Sequence, residues 1–185
     1  MKQEEENISA IISGCQKGKR LAQEQLYKSF YKVMIQLCIR YTKDDSDAVE
    51  VLNNGFLKVF KNINKYDSRQ GTVYTWIRKI IINSCLDFIR SKQNLAGHAE
   101  LDESVEVHIE PEVIKKMKAA ALLGLVRQLP PATRAVFNLY VIEGYAHKEV
   151  GKLLNISEGT SKWHLSEARK TLQKLIQQQD VKIYE

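Results

Sequence analysis

The amino-acid sequence predicts an all-α protein in which a flexible acidic linker joins two helical domains. Apolar residues recur every three or four positions through most of the chain, and no segment alternates as a half-buried strand would. Asn94–Glu112 contains no lysine or arginine and is rich in glutamate, whereas the segments on both sides are basic. A helix-turn-helix pattern lies near the C-terminal end. We therefore predict domains at residues 1–93 and 113–185, separated by a linker at residues 94–112.

The composition indicates a basic protein that can hold a hydrophobic core. The 185 residues are 44% hydrophobic and carry a net charge of +6, which permits nucleic acid as a partner without requiring it. Long apolar spans are missing, and Met1–Asn7 is acidic and polar, so we expect no membrane insertion. Cys15, Cys38 and Cys85 are scattered in apolar surroundings, as reduced thiols of a cytoplasmic protein are. No Cys/His cluster has metal-ligand spacing, and we expect neither metal nor cofactor.

The first domain is predicted to contain four helices and one loop. The second of these helices has an apolar stripe through Leu21, Leu26, Tyr27, Phe30, Met34, Leu37 and Cys38. The third follows a polar break, Lys43–Ser46, that offers capping residues. The predicted helices span about Asn7–Cys15, Arg20–Tyr41, Ser46–Ile63 and Thr72–Ser91.

The third predicted helix has a mixed polar face opposite its apolar stripe. At 100° per residue this outer face carries Asp47, Glu50, Asn54, Leu57, Lys58 and Lys61. A leucine among charged residues can anchor a protein partner. A single exposed leucine also needs no special explanation, so this strip alone leaves both interpretations open.

A second candidate surface combines aromatic, amide and cationic side chains. The loop Asn64–Gly71 holds Tyr66 and Arg69. The outer side of the following helix carries Trp76, Lys79, Asn83, Asp87 and Arg90. Bases of single-stranded nucleic acid stack on aromatics while cations follow the backbone, at about 1–3 kcal/mol per stacked base. The alternative, that Trp76 only covers the domain core and Asn83 is an ordinary surface residue, stays open.

The second domain begins with two predicted helices that build a core. The first spans about Glu112–Arg127 and stops at Leu129-Pro130-Pro131. The second spans about Ala132–Glu143 and ends at Gly144. It is predicted to bury Val136, Phe137, Tyr140 and Val141.

Ala146–Lys174 reads as a helix-turn-helix. A first helix at about His147–Leu154 precedes a break in which Ser157 is the expected N-cap, and a second helix runs from about Glu158 to Ile176. The inner face of the second helix is predicted to hold Ser161, Leu165, Ala168, Leu172 and Leu175. Its outer face carries Thr160, Lys162, Trp163, Ser166, Glu167, Lys170 and Lys174, which suit base edges and phosphates in a major groove. A solvated surface helix is the alternative.

Three stretches carry a family resemblance. Leu129–Leu175, with its Leu-Pro-Pro entry, Glu143-Gly144, Gly159-Thr160 and Ala168-Arg169, resembles domain 4 of the sigma-70 family in the extracytoplasmic-function group. DAVEVLNNGFLKVF (Asp47–Phe60) resembles the domain 2 segment that family members dock onto the clamp helices of RNA polymerase. YTWIRKIIINSCLDFIRS (Tyr74–Ser91) resembles the segment that melts and captures the minus-ten element. The order of the three stretches is that of the family.

The resemblance implies a promoter-specificity subunit with no catalytic role. Its implied partners are core RNA polymerase, promoter DNA and an anti-sigma factor. The implied polymerase contacts are Asp47, Glu50, Asn53, Asn54, Leu57 and Lys58. The implied minus-ten contacts are Tyr66, Arg69, Trp76, Lys79 and Asn83. The implied minus-35 contacts are Thr160, Lys162, Trp163, Ser166, Glu167 and Lys170.

The sequence departs from the family at two sites and leaves other classes of protein to be tested. Asn53-Asn54 stands where the family often has Gln-Glu, which removes a negative charge from the polymerase-facing strip. In the recognition helix, Trp163 stands where a small polar residue is common, and Ser166-Glu167 where an aromatic or basic residue often appears, so the promoter sequence cannot be carried over. One alternative is a transcriptional regulator that uses only the C-terminal helix-turn-helix without a sigma role. A nuclease or recombinase would require clustered carboxylates or a nucleophile with a supporting base, which the sequence does not offer.

Overall fold

The computed structural model describes residues 2–96 and 119–183, and every regular element in these ranges is helical. The chain divides into two compact units. One contains residues 1–39 and 44–87, and the other contains residues 40–43 and 88–185. The predicted all-α, two-domain class is confirmed. Most of the predicted linker lies outside the described residues, and the linker and domain limits stay predictions.

The first unit is built from four helices and two short 3₁₀ turns, and the last residues of the second and fourth helices, 40–41 and 88–96, belong to the other unit. The helices are α1 (Lys2–Gln16), α2 (Arg20–Tyr41), α3 (Asp45–Asn62) and α4 (Val73–Ala96), and the turns are Ile63–Lys65 and Ser68–Gln70. The limits of α2 agree with the prediction. Helix α1 begins five residues before its predicted start, and α4 continues five residues beyond its predicted end. Asp44 caps α3, because its carboxylate accepts a 2.8 Å hydrogen bond from the Asp47 N–H.

Helices α2, α3 and α4 supply the core of the first unit. Their fully buried side chains include Leu26, Met34, Leu52, Phe56, Ile77 and Ile81. Gly55 permits close packing of α3 on α4, because a Cβ at this position would collide with the Ile81 side chain. Leu21 does not belong to the buried stripe and is 75% exposed. Five residues at 100° each separate Leu21 from Leu26 by about 140° around the helix, whereas Ala22 lies near the stripe and is buried.

The described residues 119–183 of the second unit form four α-helices and a π-helical turn. These are α5 (Ala119–Val126), α6 (Pro131–Phe137), the π turn Asn138–Ile142, α7 (His147–Leu154) and α8 (Glu158–Ile183). Leu125, Val126 and Leu129 pack with the inner side of α8, where Ala168, Leu172 and Ile176 are buried. Pro131 occupies the first turn of α6, where its missing N–H is not needed. Helix α8 extends past the predicted end at Ile176.

The π turn corrects one predicted core residue. The Glu143 N–H donates to the Asn138 carbonyl, five residues back, at 2.9 Å. This wider turn changes the helical register, so Leu139 is fully buried and Val141 is 49% exposed. The prediction that Val141 belongs to the core is therefore wrong, whereas Val136 is fully buried.

The three cysteines, Cys15, Cys38 and Cys85, are buried, as predicted. Burial raises the pKa of the Cys15 thiol. Within the described ranges, no helix combines the length and apolar character needed to cross a membrane. The same ranges hold no group of three or more His, Cys, Asp or Glu side chains able to bind a metal ion.

Candidate nucleic-acid and polymerase interfaces

A tight turn joins α7 to α8. Asn155 adopts a left-handed backbone conformation with φ of 57°, and the Ile156 N–H donates to the Gly151 carbonyl at 3.0 Å. A Cβ on Gly151 would lie 2.8 Å from the Ile156 carbonyl oxygen, so this close approach requires glycine. Ser157 caps α8 as predicted, because its hydroxyl accepts from the Thr160 N–H at 2.9 Å. The backbone therefore has the predicted helix-turn-helix form.

Two histidines attach α8 to the elements before it. His147 Nδ1 lies 2.9 Å from the Ser161 hydroxyl, and its ring stacks on Tyr140 at 4.1 Å between centroids. His164 Nδ1 lies 3.0 Å from the Thr133 hydroxyl. Burial lowers the pKa of both histidines. Lys162 adds to this effect at His147, whereas Glu167 opposes it at His164. Both rings are thus favoured in their neutral form.

The outer face of α8 holds the six predicted minus-35 residues at helical spacing. Lys162 is exposed and its ammonium group lies 2.8 Å from Glu158, and Lys170 is paired with Glu167 at 3.4 Å. Trp163 is half-buried rather than fully outward, because its ring packs edge-on against His164 with 4.8 Å between centroids. Thr160 and Ser166 are half-buried. This face offers hydroxyls, cations and one aromatic edge to a ligand.

The predicted polymerase strip lies along α3. Glu50, Asn53, Asn54 and Leu57 are exposed, and Leu57 retains 56% of its accessible surface. Asp47 and Lys58 are half-buried.

Two contacts to other helices bear on this strip. The Tyr27 hydroxyl on α2 donates to Asn53 Oδ1 at 3.0 Å, and Lys58 Nζ lies 2.7 Å from Asp87 Oδ2 on α4. The first contact could not be predicted from the sequence, because 26 positions separate its two residues and no sequence pattern links them.

The predicted minus-ten residues are brought together by the loop between α3 and α4. The Tyr66 ring lies 5.5 Å from the Trp76 ring between centroids, and the Tyr66 hydroxyl donates to the Gly71 carbonyl at 3.2 Å. Trp76 is half-buried, while Lys79 and Asn83 are exposed farther along α4. Burial, with a smaller effect of Asp67, raises the pKa of Tyr66. The aromatic pair and the polar ridge therefore form one continuous surface.

An open cleft of about 1150 Å³ borders the same loop. One wall is α1, which contributes Ser9, Ser13 and Gln16, and the other wall is the loop. The Gln16 amide donates to the Ile63 carbonyl at 3.4 Å and ties the end of α1 to the loop. From the sequence, α1 was predicted only as a short helix, without a role.

The helix-turn-helix of the second unit is typical of a DNA-binding class of protein. Residues 26–95 match the family model Sigma-70 region 2, and residues 119–172 match the family model Sigma-70, region 4. The matches together span more than half of the sequence. The chain belongs to the sigma-70 family, in the extracytoplasmic-function group. It is a sigma factor, the type of subunit that directs promoter-specific transcription.

Curated relatives are similar along most of the chain. The ECF RNA polymerase sigma factor SigW of Bacillus subtilis is 26% identical over 179 residues, covering 90% of this chain and 95% of SigW. SigM of Mycobacterium tuberculosis is 24% identical, covering 93% and 86%. SigE of Mycolicibacterium smegmatis is 27% identical over 80% of this chain, and the match spans 59% of SigE.

A solved structure has the same fold. It is the sigma factor RpoE of Bartonella quintana, described in complex with the anti-sigma factor NepR. Its TM-score is 0.52 at 16% identity, with 83% of this chain and 96% of that chain covered.

Proposed function

We propose that this sigma factor uses its two units for different steps of promoter recognition. A first domain at residues 1–93 binds core RNA polymerase and the melted minus-ten element. A second domain at residues 113–185 reads the minus-35 element as duplex, and the acidic linker at residues 94–112 connects them without binding DNA. The proposal is carried by the sequence order of three exposed surfaces, on α3, on the α3–α4 loop with α4, and on α8.

Polymerase docking is assigned to the strip on α3. Leu57 supplies the apolar anchor, and the surrounding residues, Asp47, Glu50, Asn53, Asn54 and Lys58, supply a polar rim. Such an arrangement suits a protein interface, in which a few apolar anchors carry most of the affinity. Asn53 offers its amide N–H groups to the partner, because its Oδ1 accepts a hydrogen bond from the Tyr27 hydroxyl.

Minus-ten capture is assigned to Tyr66, Arg69, Trp76, Lys79 and Asn83. Extruding a base costs a few kcal/mol, which stacking on an aromatic offsets at about 1–3 kcal/mol per base. Tyr66 and Trp76 offer aromatic surface, Lys79 offers charge for the backbone, and Asn83 offers an amide to a base edge. The neighbouring cleft has room for an unstacked base.

Minus-35 recognition is assigned to the outer face of α8, through Thr160, Lys162, Trp163, Ser166, Glu167 and Lys170. Lysines at the start of a recognition helix contact phosphates, and hydroxyls and carboxylates reach base edges in the major groove. Glu167, whose Oε1 lies 3.4 Å from Lys170 Nζ, is assigned to accept from a cytosine amino group. The part-buried contact between His147 on α7 and Ser161 on α8 joins the two helices of the helix-turn-helix.

The protein acts in the cytoplasm, where RNA polymerase meets DNA, and it is not an enzyme. An anti-sigma factor is its expected regulator, as NepR is the partner of the Bartonella quintana relative. The exposed apolar side chains Leu57 and Val141 offer such a partner places to bind.

Run-off transcription from a library of promoter fragments tests the proposal. Core RNA polymerase is assayed alone, with the wild-type chain, and with the Asn83→Ala, Lys162→Ala and Lys174→Ala variants. We expect start sites that require the chain, that are lost with the first two variants, and that persist with the third, which changes an exposed lysine outside the assigned contacts. No initiation, together with tight binding of the free chain to one duplex, would identify a conventional helix-turn-helix regulator instead.

A further inference from the structure

One carboxylate organises the loop between α3 and α4. Asp67 Oδ1 accepts from the Arg69 N–H and from Arg69 Nε, both at 3.0 Å. Asp67 Oδ2 accepts from Arg69 Nη2 at 2.9 Å and from the Gln70 amide at 3.3 Å. The same aspartate therefore caps the Ser68–Gln70 turn through the backbone and holds the side chains of two consecutive residues.

The pairing determines what Arg69 presents to a ligand. A guanidinium group has two edges whose parallel N–H donors suit phosphate, and Asp67 occupies the edge formed by Nε and Nη2. The outer edge, formed by Nη1 and Nη2, is the other one. The remaining N–H groups lie on the outer edge, and the Arg69 side chain is 88% exposed. Arg69 lowers the pKa of Asp67, so the carboxylate is charged at neutral pH and offsets the arginine charge.

The frame of the loop gives that outer edge a defined position. The Tyr66 hydroxyl closes the loop on the Gly71 carbonyl, and the Tyr66 ring packs against Trp76 on α4. Asp67 is the next residue after Tyr66, and Tyr66, Asp67 and Arg69 line the same cleft. A freely moving Arg69 would instead bind any phosphate within its reach.

We propose that Asp67 is a positioning residue for Arg69 in the capture of an unpaired DNA strand. It occupies one of the two phosphate-binding edges of the guanidinium group and reduces the net charge of the loop. Asp67 thereby weakens the nonspecific attraction of the loop to single strands. The contact that Arg69 makes comes from the outer edge of its guanidinium group. This inference rests on the proposed minus-ten role of the loop. Asp67 was not among the residues that the sequence singled out.

Asp67→Asn separates the two roles of the carboxylate. The asparagine oxygen can still accept from the Arg69 N–H and cap the turn, but the charge and the two-pronged pairing are lost. Each added phosphate contact steepens the slope of log K against log salt by about 0.7 for single strands. We expect Asp67→Asn to steepen that slope by about this amount. Arg69→Ala should remove the effect, and Asp67→Asn combined with Arg69→Ala should match Arg69→Ala alone.

The measurement is binding of the assembled holoenzyme to two labelled strands by fluorescence anisotropy across a salt series. One strand is oligothymidine of about 20 nucleotides, long enough for a groove of this kind. The other is the non-template minus-ten strand selected by run-off transcription. We expect Asp67→Asn to lower the preference for the selected strand several-fold. Arg69→Lys keeps the charge but loses the fork geometry, and we expect it to lower the preference in the same direction.

Three outcomes contradict the inference. An unchanged slope and preference in Asp67→Asn would overturn it. A loss of preference that persists when Arg69→Ala is also present would show that Asp67 acts only on loop structure. Wild-type holoenzyme that initiates transcription yet does not distinguish the two strands would overturn the minus-ten role of the loop itself, and the inference with it. Thermal unfolding of each variant, with Arg69→Lys as the mildest change, excludes a folding defect.

Discussion

Ser161 Oγ, which is fully buried on the inner side of α8, lies 2.9 Å from His147 Nδ1 on α7. The two helices of the helix-turn-helix are thus joined by a polar contact inside an apolar interface. A buried hydroxyl without a partner destabilises a fold, so this contact favours one angle between the helices. The angle between α7 and α8 determines how the outer face of α8 can enter a DNA groove.

Removing the imidazole should destabilise the second unit. His147→Ala leaves the Ser161 hydroxyl without this partner and removes the stacking on Tyr140, at an expected cost of about 1–3 kcal/mol. Chemical denaturation measures the change. In a double-mutant cycle, Ser161→Ala should reduce the cost of His147→Ala, because the two residues share one interaction. Additive effects of the two substitutions would contradict this coupling.

Acid should destabilise the second unit in the range where histidine titrates. The folded-state pKa values of His147 and His164 are lowered, mainly by burial, so the unfolded chain binds protons more readily. Their contribution to stability is fully present above the unfolded pKa of about 6.5 and is lost as the pH falls below it toward the folded values. We expect the unfolding midpoint of the chain to fall as the pH is lowered from about 8 to about 5.5. His147→Gln should make the unfolding midpoint less dependent on pH. A wild-type midpoint that does not change with pH would contradict the prediction.

A side chain at Gly151 should distort the helix-turn-helix. The Cβ of Gly151→Ala would lie 2.8 Å from the Ile156 carbonyl oxygen, and this backbone atom cannot move without opening the turn. Overpacking of this kind costs about 1–3 kcal/mol, and minus-35 duplex binding should weaken as α8 shifts. Gly124→Ala is the matched control, because a Cβ there meets no neighbour within 4 Å and alanine favours the helix by about 0.5–1 kcal/mol. Equal stability of the two variants would contradict the expected clash.

The helices could be predicted from the sequence, but the contacts between them could not. Apolar periodicity and capping residues are local, so the limits of α2 and α7 agree with the prediction. A periodicity of 100° per residue assumes a regular α-helix and does not predict a π turn. Val141 was therefore wrongly placed in the core. The Tyr27–Asn53 and Lys58–Asp87 contacts join different helices, and they depend on packing angles that periodicity does not encode. The Asp67–Arg69 pair is local, and its Asp-x-Arg spacing in a turn is a signal that sequence reading can use.

Leu57 should contribute to polymerase affinity without contributing to the fold. Its side chain is 56% exposed on α3, so Leu57→Asp should leave the unfolding midpoint nearly unchanged and weaken core binding by at least about tenfold, as expected for the loss of an interface anchor. Leu21→Asp is the control, since Leu21 is even more exposed and lies outside the strip. Fluorescence anisotropy with labelled chain and core polymerase measures both. Equal losses in the two variants would contradict a specific role for the strip.

Lys162 should contribute one phosphate contact to minus-35 binding. Its ammonium group now pairs with Glu158 at 2.8 Å, an exposed pair that DNA can displace at little cost. Lys162→Ala should therefore reduce the slope of log K against log salt by about 0.9 on a duplex and weaken binding alike for all sequences. Lys174→Ala lies farther along α8, outside the assigned contacts, and should leave the slope unchanged. If Lys162→Ala instead altered base preference at constant slope, Lys162 would read a base edge, and the phosphate contact would have to be assigned to another residue on α8.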